Sequence, residues 1–104
     1  MGKSRIIKIL GNILGNVVVH KILIKYTNKP ESVHYLSEEI GTYRDNAMEI
    51  AQEFNWNEED KNKIIGETLK NFNNRIKKYK DVKFPISEVN KLINETIEEC
   101  IISF

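Results

Sequence analysis

From Val33 to Phe54 the apolar positions Val33, Leu36, Ile40, Tyr43, Ala47, Ile50 and Phe54 recur at alternating intervals of three and four residues. That is a heptad seam held without a slip, and it predicts a helix with one buried face. Pro30 suits the first helical turn, so the helix is placed at about 30–55. Asn57 then suits an N-cap, and Glu58, Glu59 and Asp60 occupy the first turn of the next helix, where the dipole favours acids. This third segment, about 57–79, carries the seam Ile65, Leu69, Phe72, Ile76 and Tyr79, with Arg75, Lys77, Lys78 and Lys80 at its far end. Phe84 and Pro85 break it. Ser87 is placed as the cap of a fourth helix, about 87–102, with seam residues Val89, Ile93, Thr96 and Cys100, widened by Leu92, Ile97 and Ile101.

The first segment, about 4–26, has two apolar seams where one is usual. Ile6, Leu10, Ile13, Val17 and Ile24 form one; Gly11, Gly15, Val18 and Ile22 form the other. Lys8, Asn12, Asn16 and His20, spaced by four, make a narrow polar stripe. Two glycines cost a helix about 1 kcal/mol each relative to alanine, and close packing against a neighbour is the compensation the Gly-x-x-x-Gly spacing suggests. The alternative is that the glycines mark a loop and 16–26, rich in β-branched residues, is a strand. The apolar run is interrupted by Lys8, Asn12, Asn16, His20 and Lys21, so it is not expected to span a membrane. No small-residue cleavage site follows it, which argues against a secretory signal.

Short connections imply antiparallel neighbours, and the expected architecture is an all-α, antiparallel four-helix bundle forming a single domain over residues 1–104. With 40% apolar and 30% charged residues the composition is that of a globular chain. Its one cysteine, Cys100, cannot form an internal disulfide, and a cytoplasmic location is the expectation.

The net charge of +1 conceals a regular alternation of sign. Residues 1–30 hold six basic residues and no acid; residues 31–60 hold nine acids and only Arg44 as a cation. Residues 61–91 hold nine basic residues against Glu67, Asp81 and Glu88, and the remainder adds Glu95, Glu98 and Glu99. Each block coincides with one helix. An up-down-up-down bundle would set the two basic helices at diagonal corners, each flanked by acidic ones, with no continuous basic face.

Candidate chemistry is sparse. Glu31-x-x-His34 is half of the Glu-x-x-His signature of carboxylate-bridged metal bundles, but both residues fall on the outer face and no second copy exists. His20 has no histidine or cysteine at ligand spacing and is placed at the surface or facing a partner. Gly2-Lys3-Ser4 lacks the upstream glycine and strand of a phosphate-binding loop. Cys100 lies on an apolar seam and is expected to be buried and inert. No nucleophile is paired with a base, so neither an enzyme, a cofactor nor a metal is expected.

Two functional readings remain. The first is a non-catalytic interaction or assembly module, self-associating or binding another helical protein through Gly11, Gly15, Val18 and Ile22 of the doubly apolar first helix. The second is a nucleic-acid-binding regulator. The segment around Gly41, with Thr42-x-x-Asp45 as a capping box, resembles a helix-turn-helix that would present Thr42, Tyr43, Arg44 and Asn46 to a groove. Its acidic surroundings oppose binding to phosphates. A basic patch at 70–83, with Lys70, Arg75, Lys77, Lys78, Lys80 and Lys83 interleaved with Asn71, Phe72, Asn73, Asn74 and Tyr79, is the other route to a phosphate backbone.

Overall fold

The computed structural model describes residues 2–26 and 29–101. It contains four α-helices and, among the described residues, no strand. These are α1 (Lys3–Tyr26), α2 (Val33–Ala51), α3 (Glu58–Ile76) and α4 (Ile86–Cys100), with a 3-10 turn at Pro30–Ser32 ahead of α2. Residues 16–26 are therefore helical, and α2 runs without a break through Gly41.

Helix α1 is the centre of the molecule. It packs against α2, α3 and α4, whereas those three meet one another little. Leu10, Leu14, Val17, Val18 and Ile22 are fully enclosed, and Ile7, Val19 and Leu23 nearly so. A helix apolar over most of its circumference needs cover on several sides, and three helices supply it, leaving Lys8, Ile9 and Asn12 exposed. Among the described residues α1 is also the one helix long and apolar enough to cross a membrane. Its side chains are satisfied here by protein.

Directions follow from the pairs along α1. Lys3 meets Asn55 at the end of α2 and His20 meets Glu39 nearer its start, so α1 and α2 are antiparallel. Lys21 meets Glu99 and Lys25 meets Glu88, so α1 and α4 are antiparallel too. Against α3 the order is reversed: Lys3 meets Asp60, Gly11 meets Glu67 and Gly15 meets Asn71, so α1 and α3 run parallel in direct contact. The bundle is up-down-up-down, but the diagonal pair has been drawn together. A Cβ on Gly15 would lie 2.6 Å from the Cβ of Asn71 and 3.1 Å from the Phe72 nitrogen. Only glycine admits that approach, which explains its presence in a helix interior.

Helix ends depart from the periodicity in three places. Helix α2 stops at Ala51 because the chain turns to bury Trp56, whose indole N–H donates to the Ala51 carbonyl at 2.8 Å. Helix α3 begins with the expected cap: Asn57 Oδ1 accepts from the Asp60 nitrogen at 2.8 Å and Asp60 Oδ2 from the Asn57 nitrogen at 3.2 Å, a reciprocal capping box. It ends at Ile76, and Phe84 returns to place its ring edge-on to Phe72 at 5.8 Å. Helix α4 starts at Ile86 with Pro85 in the N-cap position and no side-chain cap bond, so Ser87 falls inside the helix, and the last residue expected in it, 102, lies outside the described residues.

Candidate functional site

The glycine seam lies inside the fold. Gly11 and Gly15 are covered by Glu67, Thr68, Asn71 and Phe72 of α3, while Val18 and Ile22 have no exposed surface. This corrects the expectation that these four residues form a surface for a second chain. The close neighbour that the glycines require is α3 of the same chain.

His20 is likewise interior, at 8% exposure, which corrects its placement at the surface. Its Nδ1 faces the Asn16 carbonyl oxygen at 2.8 Å and its Nε2 the Glu39 carboxylate at 2.5 Å, while Tyr43 presents a ring edge to it. The Glu39 carboxyl is held below the usual carboxylate range, first by a hydrogen bond from Tyr35 and then by His20. The group clasps α1 to α2. His34 and Glu31 point to solvent as expected, and His34 pairs with Glu38 one turn on. Among the described residues no three His, Cys, Asp or Glu side chains gather into a metal-binding group. Cys100 is buried, and burial pushes its thiol above the ordinary range.

The helix-turn-helix likeness is overturned. Helix α2 is continuous at Gly41, and the Thr42 hydroxyl donates back to the Glu38 carbonyl rather than capping a second helix. Arg44 turns inward to Glu99 of α4 at 3.1 Å. Asn46 is exposed, but between Asp45 and Glu49 it stands on an acidic surface. Neither is placed to read a phosphate backbone.

The cations of the first and third blocks meet different fates. On α1, Lys3 pairs with Asp60 at 2.8 Å, Lys21 with Glu99 at 2.6 Å and Lys25 with Glu88. These are internal ties: acids of the other helices pair with three cations of the central helix, while Lys8 stays exposed. The cations of α3 and the turn after it face outward. Lys63, Lys70 and Lys77 recur along its solvent side together with Gly66 and Asn74, and Lys78, Lys80 and Lys83 continue the charge past the helix end, all of them exposed. Lys63 has a loose pair with Glu59 at 3.6 Å and Asp81 is an acid within the turn. Arg75 belongs to the frame, since its guanidinium donates to the Asn12 side chain of α1.

The contact between α1 and α3 changes the electrostatic layout. The basic helices were expected at separated corners between acidic flanks. Instead α1 and α3 touch, and Lys8 of α1 and Lys63 of α3 border one groove of about 340 Å³, lined also by Lys3, Ser4, Ile7, Asp60, Gly66 and Glu67. Acidic α2 and α4 lie beside each other, as the Arg44–Glu99 pair records. Helix α3 itself holds four acids and four basic residues, and the basic excess of its block lies past its end, at Lys77, Lys78, Lys80 and Lys83.

Two interior residues carry no periodic signal. Trp56 stands alone in a polar stretch, and Thr68, fully buried, lies under the glycine seam. Phe72, interleaved with the basic patch in sequence, is in the core. No family model matches this sequence, and no curated protein or solved structure matches it either.

Proposed function

We propose that this chain is a non-catalytic interaction module whose contact surface is the basic outer face of α3 and the turn behind it, and whose partner is a nucleic acid. What supports the reading is one contrast: acids of the same chain neutralise Lys3, Lys21 and Lys25 of α1, whereas Lys70, Lys77, Lys78, Lys80 and Lys83 have no acidic partner among the described residues. Unpaired cations in a row displace condensed counterions from a phosphate backbone, which provides affinity without base contacts. An assembly role through α1 rested on a second exposed apolar seam, and that seam is occupied by α3.

The test is binding of a fluorescent RNA oligonucleotide followed by anisotropy from about 50 mM to about 300 mM salt. The wild type is expected to bind at the low end with a linear fall of log K against log salt. Replacing Lys77 and Lys80 by alanine should weaken binding and reduce the slope by about one for each phosphate that is no longer neutralised. Lys91→Ala, on α4, should leave it unchanged. Absence of binding at the lowest salt overturns the proposal.

A further inference from the structure

The periodicity assigns Tyr79 to the buried seam of α3, continuing Phe72 and Ile76. The structure places it elsewhere. Helix α3 has ended at Ile76, the Tyr79 nitrogen donates to the Ile76 carbonyl at 2.9 Å, and the Val82 nitrogen donates to the Tyr79 carbonyl at 3.1 Å. Two successive tight turns therefore carry the ring off the helix face, leaving Tyr79 40% exposed. The aromatic partner of Phe72 is Phe84, which returns from beyond these turns. Tyr79 is thus left partly outside the core.

Its surroundings suggest a use. Lys77, Lys78, Lys80 and Lys83 flank it in sequence and are all exposed, so a partly exposed aromatic residue lies in a stretch of exposed cations. In a duplex the base faces are already stacked on one another and closed to a side-chain ring. Unpaired bases present theirs, and a ring set among cations that hold the backbone is the usual platform for them. Resting on the reading of α3 as a nucleic-acid face, we infer that the ligand is single-stranded and that Tyr79 stacks on one of its bases while the neighbouring lysines hold the phosphates.

The experiment compares a single-stranded RNA of about a dozen nucleotides with the same strand annealed to its complement, and with inorganic polyphosphate, which has charge but no bases. Anisotropy competition is measured for the wild type, Tyr79→Ala and Tyr79→Phe, with circular dichroism to check that each is folded. Tyr79→Ala should weaken the single strand roughly tenfold, the worth of one stacked base, without altering the salt slope. It should leave duplex and polyphosphate unchanged, and Tyr79→Phe, which keeps the ring, should bind within about twofold of wild type. Salt-dependent binding that is indifferent to Tyr79→Ala, or equally weakened for all three ligands, overturns the stacking role and leaves the basic face standing. Failure of the wild type to bind any of the three overturns both.

Discussion

Gly15 lies under Asn71 so closely that a Cβ on the glycine would come within 2.6 Å of the asparagine Cβ and 3.2 Å of the Thr68 carbonyl oxygen. Two parallel helices are locked face to face by the absence of a side chain. Backbone cannot move aside as a flexible side-chain tip can, so Gly15→Ala forces α1 and α3 apart. The expected cost is about 1 to 3 kcal/mol, read from urea or thermal unfolding. Gly41 and Gly66 are also helical, yet nothing stands within 4 Å of a Cβ added at either. Alanine there should stabilise by about 0.5 to 1 kcal/mol through its better helix propensity. Equal effects at Gly15 and Gly41 would mean that the glycine seam is not in close contact. The oligomeric state should be the same for all three variants, because the neighbour lies within the chain.

Helices α2 and α4 were legible because each has one dry face: Ile40 and Ala47 in α2, and Val89, Ile93, Thr96 and Cys100 in α4, are buried as their spacing predicts. Helix α1 was legible as a helix but not in its role. Its apolar residues cover all but a narrow stripe of the surface, so periodicity does not say what lies on the second seam, and an enclosed centre reads the same as a surface awaiting a partner. The face of α3 was read only in part. Phe72 is buried as its spacing predicts and Ile65 and Leu69 pack against the core, but Ile64 and Thr68 are buried more deeply, and the glycines of α1 meet Glu67, Thr68, Asn71 and Phe72, because a partner face made of glycine backbone can be met by threonine and asparagine as well as by leucine. Hydropathy does not mark such a contact. The basic patch was visible as composition, but whether acids flank it depends on which helices touch, and the glycines decide that.

Asp60 has two anchors that depend on its charge. It accepts from Lys3 Nζ and from the Asn57 nitrogen, and these, Lys3 first, hold its carboxyl below the usual carboxylate range. A carboxyl with a lowered folded pKa contributes stability that is fully present above its unfolded value and is lost as pH falls through the folded one. Glu88, lowered by Lys25, acts with the same sign. The melting temperature should therefore be flat near neutrality and fall as pH drops below about 4. Asp60→Asn should melt lower at pH 7 and lose less on acidification than the wild type. Superimposable pH profiles for the two proteins would show that the Lys3–Asp60 pair contributes nothing.

Trp56 is the only tryptophan in the chain, and it closes the corner where α2 ends and α3 begins. Its ring is 4% exposed, packs at 5.5 Å from Phe54 and lies under the Lys3 ammonium, while its N–H caps the Ala51 carbonyl. Phenylalanine in its place keeps most of the packing and loses that donor. Because the Ala51 oxygen also accepts from the Phe54 nitrogen at 3.2 Å, it is not left bare. The cost of Trp56→Phe should then be that of one net hydrogen bond, about 0.5 to 1.5 kcal/mol. Trp56→Ala removes the ring itself and should cost about 3 to 5 kcal/mol. In the wild type the indole should emit at the short wavelengths of an apolar site and shift to the red on unfolding. That ring meets the start of α1 and the end of α2, so the fluorescence transition should coincide with the loss of helical signal in circular dichroism. A fluorescence change that precedes the loss of helix would show that this corner opens on its own and is not part of the cooperative core.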